Sequence, residues 1–326
     1  MTQTEARKPP APARAPKSGR FRAQRIGSVL LGYTVTLWLV VTTVFFIGSV
    51  LGDPAAAKLG PGATAEQVEA LRQQMGFDRP LIAQYGSFLS HLARGDLGVS
   101  AQYSTPNLEL VMARLPYTFQ LAGLALAIAV LVGVPLGAFA GVRKGSWCDR
   151  LVTGVTVLMQ SVPEFWLGLL GIYIFAVHLE LLPVGGAGGA DHLIMPAIVL
   201  STYPMGQIAR VMRSSVIEVL HESYIESALA HGLPRRTVLL THCLRNASIP
   251  VLSVVGVQVG TLLGSAVTVE VVFGWPGLGS LATQAVLTRD LVLVEAIVVV
   301  VAVIFLAVNL LIEILYRIVD PRIGSS

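Results

Sequence analysis

The chain has 326 residues, 54% of them hydrophobic and 13% charged, where soluble domains run at about 45–50% and about 25%. Its 23 Lys and Arg and 19 Asp and Glu cannot cover a soluble fold of this length, and a mean hydropathy of +0.70 excludes disorder. With a net charge of +4 and only Cys148 and Cys243, a disulfide scaffold and a cysteine metal centre are also excluded, so the chain reads as an all-α polytopic membrane protein.

In chain order, residues 1–25 carry Arg7, Lys8, Arg14, Lys17, Arg20, Arg22 and Arg25 among Pro and Ala, the pattern of a disordered basic cytoplasmic tail. These charges set topology rather than bind nucleic acid. The apolar run 26–51 is too long for the core of a cleaved leader and is the first predicted span. Residues 52–113 form a predicted extracytoplasmic helical segment. Thr64 and Gln67 have capping-box spacing, Val68, Leu71 and Met75 repeat at helical intervals, and Gly76 can close that helix. A second helix is expected from Pro80, with Ile82, Tyr85, Leu89 and Leu92 on one side.

Five further spans are expected at 118–142, 151–177, 193–216, 249–272 and 291–316, making a core of 114–320 before a short tail at 321–326. Pro135, Pro163, Pro196 and Pro204 interrupt these runs, which bundle helices tolerate because neighbours re-satisfy the freed backbone groups. Lys and Arg cluster at 143–150 and 210–245, whereas 179–192 carries Glu180 and Asp191 and no Lys or Arg. That asymmetry puts both termini in the cytoplasm. The longest inner loop, 217–247, is the expected contact surface.

Enzyme signatures are absent or fail on inspection. No G-x-x-x-x-G-K-[ST] is present, so the chain has no nucleotide site of that kind. His221-Glu222 opens an H-E-x-x-H pattern that ends on Ile225 where the second His must stand. Gly277-Leu-Gly279-Ser-Leu-Ala282 fits a dinucleotide fingerprint, but a membrane span rather than a βαβ unit follows it. No Ser sits in G-x-S-x-G. Glu164, Glu270 and Glu295 remain, since carboxylates at membrane depth are costly and mark function or structural pairing.

Within 217–247, Glu226-Ser227-Ala228 followed by Gly232 resembles the Glu-Ala-Ala-x3-Gly loop of bacterial ABC importer permeases, with Ser227 replacing the first Ala. His242-Cys-Leu-Arg245 departs from the Ile-x-Leu-Pro of the general pattern. Tyr224-Ile-Glu-Ser-Ala-Leu-Ala-His-Gly-Leu233, Leu244-Arg-Asn-Ala-Ser-Ile-Pro250 and Glu270-Val-Val-Phe-Gly-Trp-Pro-Gly-Leu-Gly-Ser-Leu281 are similar to the dipeptide, oligopeptide and nickel permease family. Gln84-Tyr85, Gly95-Asp-Leu-Gly-Val-Ser100 and Arg114-Leu-Pro-Tyr-Thr118 extend the resemblance toward the amino terminus, and the long outer loop after the first span resembles the first of that family's two paired permeases.

The resemblance implies six transmembrane helices with a MetI-like permease core, in a multi-pass protein of the bacterial inner membrane. It implies as partners a second six-helix permease, two cytoplasmic ATPases that bind ATP and Mg, and an extracytoplasmic solute-binding protein. No cofactor is expected in this chain itself. Tyr224, Glu226, Ser227, Ala228, Leu229, Gly232 and Leu233 become the expected ATPase-coupling loop, with the small residues on the docking face and Gly232 ending the helix. Glu270, Phe273, Gly274, Trp275, Pro276, Gly277 and Gly279 become the expected extracytoplasmic gate, and Glu164 and Glu295 the polar residues of the pathway. Peptides are the expected substrate, because no His, Cys and acidic cluster lines the spans as a metal would need. A nickel-chelate or glutathione importer of the same family, and an ion-coupled secondary transporter, are the alternatives.

Overall fold

The computed structural model describes residues 18–51, 59, 62–75 and 78–319, and among these every regular element is a helix. They are α1 (Ser18–Leu51), α2 (Ala65–Met75), α3 (Leu81–Ala93), α4 (Asn107–Val142), α5 (Trp147–Ser161), α6 (Glu164–His178, widening to π-helical turns from Ile172), α7 (Ala190–Leu220), α8 (Ser223–Ala230), α9 (Arg235–Val272, with π-helical turns at Val238–Cys243), α10 (Leu278–Leu287) and α11 (Leu291–Val319). Helix α1 begins at Ser18 rather than at Ile26, so the basic lead is helical over its last residues. The remainder of the expected tail, Gly76 and the carboxyl-terminal tail lie outside the described residues.

Among the described residues four helices are long and apolar enough to cross a membrane: Leu31–Ser49 of α1, α4, α9, and Leu291–Ile314 of α11. The pair α5 and α6, bent by 100° where Pro163 interrupts the run, has the length and apolarity of a fifth when taken as one broken span. Proline has no N–H for the helical ladder and pushes the preceding residue out of the helical region, and Val162 is extended. The sixth expected span falls on α7, whose 31 residues suffice in length but which falls below the others in apolarity. Its exposed positions include Tyr203, Arg210 and Ser214. Arg210 and Arg213, counted in the sequence with the inner-loop cations, therefore sit inside a helix. Arg213 is committed to Asp149 at the start of α5, with Nε–Oδ1 at 2.5 Å and Nη2–Oδ2 at 2.9 Å.

Helices α4 and α7 are the centre of the bundle. Leu121, Ala125, Ala129, Gly133, Gly137 and Gly141 recur every four residues on α4 and are all buried, a ridge of the i±4 type. Lipid supplies no hydrophobic force between helices, so close van der Waals approach across small residues must do that work. A Cβ on Gly133 would stand 2.8 Å from the Met205 carbonyl, and one on Gly141 2.8 Å from Val216 Cβ. The interior divides into two clusters along this axis: Leu121, Leu200, Leu262 and Phe273 toward one end, Ile208, Met212, Val216 and Val251 toward the other. A third cluster joins α10 to α11 through Leu281, Leu293 and Ile297.

The segment between α1 and α4 packs on this frame. Thr64 and Gln67 form the reciprocal capping box at the start of α2, at 3.0 and 3.3 Å. Helix α3 lies along α1 rather than beyond its end. The Tyr85 and Phe88 rings meet Phe45 at centroid distances of 5.2 and 5.4 Å, and the Tyr85 and Thr42 hydroxyls lie 2.7 Å apart. The Gly-Asp-Leu-Gly-Val-Ser stretch is a pinned loop. Gly95 and Gly98 adopt φ of 76° and 75°, and the Ser100 hydroxyl donates to Asp290 Oδ2 at 2.5 Å. The other Asp290 oxygen accepts the Leu293 amide and caps α11.

Candidate functional site

Three places gather the residues singled out above. At the end of the bundle where α7 gives way to α9, the short helix α8 stands on one apolar foot. Ile225, 2% exposed, enters the cluster of Val216, Val238, Cys243 and Ala247. Glu226 in its first turn suits the positive end of the helix. Gly232, at φ 82°, closes it: the Gly232 amide donates to Leu229 O at 3.0 Å and the Leu233 amide to Ala228 O at 3.3 Å, the paired bonds of a Schellman ending. Asn246 of α9 donates to the Tyr224 hydroxyl at 2.9 Å and braces the helix from the side.

What α8 offers to a partner is thus Glu226, Ser227, Leu229 and Leu233, all exposed, with Arg235 and Arg236 beside them. Ala228, expected on the docking face, is half-buried and packs against the cluster beneath. A small residue is compatible with either side of a helix, and the position of Ile225 three residues earlier is what turns Ala228 inward.

At the opposite end of α9, the expected gate residues form one knot, buried except for the exposed Gly274 and the half-buried Pro276. Glu270 is fully buried (0% exposed) and accepts three hydrogen bonds: the Thr118 hydroxyl on Oε1 at 2.7 Å, and the Gly279 and Ser280 amides on Oε2 at 2.6 and 3.1 Å. Those amides open α10, so a carboxylate from the preceding helix does the capping that Gly277 has no side chain to do. Gly277 must be bare, since a Cβ there would overlap that carboxylate. Thr118 Oγ1 in turn accepts the Leu278 amide at 2.8 Å.

Trp275, 3% exposed, donates its indole N–H to the Tyr117 carbonyl at 3.0 Å, while Phe273 fills the core between α4, α7 and α9. Gly274 turns the chain at φ 59°, Pro276 offers its carbonyl to Arg114 at 3.5 Å, and the Phe273 carbonyl accepts the Gly186 amide at 2.7 Å. Thr118, missed as a site residue although quoted in the Arg114–Thr118 motif, is the hub of this knot.

The third place is a cleft of about 250 Å³ lined by Glu164, Tyr203, Pro204, Gln258, Thr261, Leu262 and Ser265. Proline 163 breaks the span so that Glu164 starts α6 at the cleft wall. Gln258, Thr261 and Ser265 share one face of α9 by their three- and four-residue spacing, a polar stripe in an apolar helix that was legible in the sequence and was not read. Glu295 is elsewhere: its side chain fills the space above Gly48, between α11 and α1. The two carboxylates paired in the sequence reading are therefore not brought together.

The sequence comparisons agree with this architecture. Residues 133–325 match the family described as binding-protein-dependent transport system inner membrane component, and residues 20–122 match the amino-terminal family of the same membrane components. The dipeptide transport system permease protein DppB of Escherichia coli K12 is 36% identical over 336 residues, covering 93% of this chain and 98% of that one. The glutathione transport system permease protein GsiC of Escherichia coli O6:H1 is 38% identical over 295 residues, covering 90% and 96%. Among solved structures, a chain of the MetNI methionine ABC transporter in an inward-facing conformation aligns with a TM-score of 0.56 at 17% identity, over 65% of this chain and 96% of that one. A chain of an amino acid ABC transporter aligns at 0.53 and 18%, over 64% and 94%.

Proposed function

The chain belongs to the family of binding-protein-dependent transport system inner membrane components, and we propose that it is the first-type permease of a peptide importer, pairing with a second six-helix permease. Two ATPases dock on it from the cytoplasm, where both termini lie, and hold the ATP and Mg that this chain has no motif to bind. A solute-binding protein delivers peptide to the end of the bundle that carries α10. The outer segment and the Glu270–Gly279 knot frame that mouth.

The observation that carries the reading is α8. It is a two-turn helix anchored by Ile225 into the core that joins α7 to α9, with Glu226, Ser227 and Leu229 left outward. A push on such a handle is passed through Ile225 to α7 and α9 together, which is what an energy source outside the chain requires. Peptide as substrate is supported by the names of the two relatives, which specify a dipeptide and the tripeptide glutathione.

The test is uptake of labelled dialanine into proteoliposomes holding this chain, its sister permease, the ATPases and the binding protein. ATP-dependent accumulation is expected, and Leu229→Arg is expected to abolish it together with ATPase co-purification. Accumulation driven by a proton or sodium gradient without the ATPases overturns the assignment in favour of a secondary transporter.

A further inference from the structure

We propose that the Glu164 carboxylate receives the protonated amino group of the peptide as it passes through the bundle, an inference that rests on the peptide-import reading above. Glu164 lines the cleft, and among the described residues no cation lies within ion-pair distance of it and no hydrogen-bond donor engages its side chain. The other lining residues place it in depth. Tyr203 lies near the middle of the 31-residue α7, and Gln258 stands well inside α9, which runs Arg235–Val272. A carboxylate at that depth without a counter-charge is costly, and the start of α6 offsets only part of that cost.

The rest of the lining carries acceptors beside that carboxylate, together with the Gln258 amide and the Tyr203 hydroxyl as donors. The Thr261 hydroxyl hydrogen is spent on Gln258 Oε1 at 2.7 Å, and that of Ser265 on the Thr261 carbonyl at 3.2 Å. Each therefore has lone pairs to offer. Tyr203 takes a hydrogen bond from Gln207 at 3.2 Å. A primary ammonium has three donors and no acceptor, so it is the group that the free carboxylate and the hydroxyl lone pairs beside it fit. The basic side chain on the exposed face of α7, Arg210, does not compete. It stands seven residues from Tyr203, about 10 Å along the helix, and is engaged with Gln160.

Ligand-observed NMR titration of the assembled importer, without its binding protein, tests this with dialanine and N-acetyl-dialanine as probes. Loss of one charge-assisted hydrogen bond is expected to weaken the acetylated probe about tenfold. Glu164→Gln should bring the two probes to parity, Glu164→Asp should keep the preference, and Glu295→Gln, which alters a carboxylate outside the cleft, should leave it unchanged. Glu164→Ala replaces Glu164→Gln if the latter does not assemble. Equal affinities in the unmodified importer, or a preference that survives loss of the carboxylate, overturn the proposal. Absence of ATP-driven dialanine uptake with the preference intact overturns the import reading instead, so the two failures are told apart.

Discussion

Thr118 on α4 and Glu270 on α9 hold each other across 2.7 Å, and each also holds the start of α10, Thr118 through the Leu278 amide and Glu270 through the amides of Gly279 and Ser280. Three helices are thereby fixed by one carboxylate and one hydroxyl. The arrangement explains how a buried acid is retained: every oxygen has a donor and the helix terminus contributes positive potential. Removing one partner leaves the others buried and unpaired, which costs more than the bond itself contributes.

Thr118→Val is accordingly expected to destabilise the protein by about 1–3 kcal/mol, and Glu270→Ala by about 3–5 kcal/mol because three donors are orphaned. The two substitutions together should cost less than their sum, since they share a network. Thermal unfolding of the purified protein in detergent measures all three. Equal and additive losses would show that the knot is not a unit.

The α4 ridge gives a contrast within one helix. Gly137 lies 2.8 Å, at the position of an added Cβ, from Met212 Cβ, whereas an added Cβ at Gly123 meets nothing within 4 Å. Gly137→Ala should force α4 and α7 apart and destabilise by about 1–3 kcal/mol. Gly123→Ala should be neutral or stabilise by up to about 1 kcal/mol through helix propensity alone. Unfolding midpoints of the two variants, side by side, decide whether close approach or propensity governs this helix.

The spans could be read from composition because lipid imposes one demand, about 20 apolar residues in a row, that survives any tertiary context. What could not be read is what tertiary partners decide. Glu270 stood out as a buried acid, yet its partner Thr118 lies 152 residues away and no local pattern links them. Span α7 blurred because its exposed face carries Tyr203, Arg210 and Ser214. Glu164 and Glu295 looked equivalent as acids in apolar runs, and only packing separates the cleft wall from the space over Gly48. Local chemistry transferred well by contrast: the capping box at Thr64 and the left-handed Gly232 each depend on residues within one or two turns.

Outside the spans, Asp96 carries a pH dependence. Its carboxyl is held below the ordinary 3.8, first by the His91 ring bonded at 2.9 Å and then by the Gly98 amide. A carboxylate depressed in the folded state stabilises the fold above its unfolded value, and that contribution is lost as the pH falls through the folded one. The loop that follows α3 should therefore keep its protection down to about 3.8 and loosen below it. Hydrogen exchange at Gly98, corrected for the intrinsic rate, should show the transition in the unmodified protein and lose it in Asp96→Asn.

Gly232 separates the geometry of α8 from its docking surface. An added Cβ there meets no atom within 4 Å, so the cost of Gly232→Ala arises from the left-handed backbone at φ 82° alone, about 1–2 kcal/mol. Gly232→Asn, which tolerates that region better, should cost less. Leu229, 43% exposed, makes no comparable demand on the fold, and Leu229→Arg should leave the unfolding midpoint within the range of an ordinary surface change, about 0.5 kcal/mol. If α8 is the seat of the ATPases, the order of effects must invert between two measurements. Stability should fall as Ala more than Asn more than Leu229→Arg, whereas retention of the ATPases on purification should fall most for Leu229→Arg. A single order in both measurements would mean that α8 matters only as a helix that must fold, and the docking surface would then have to lie elsewhere on the bundle.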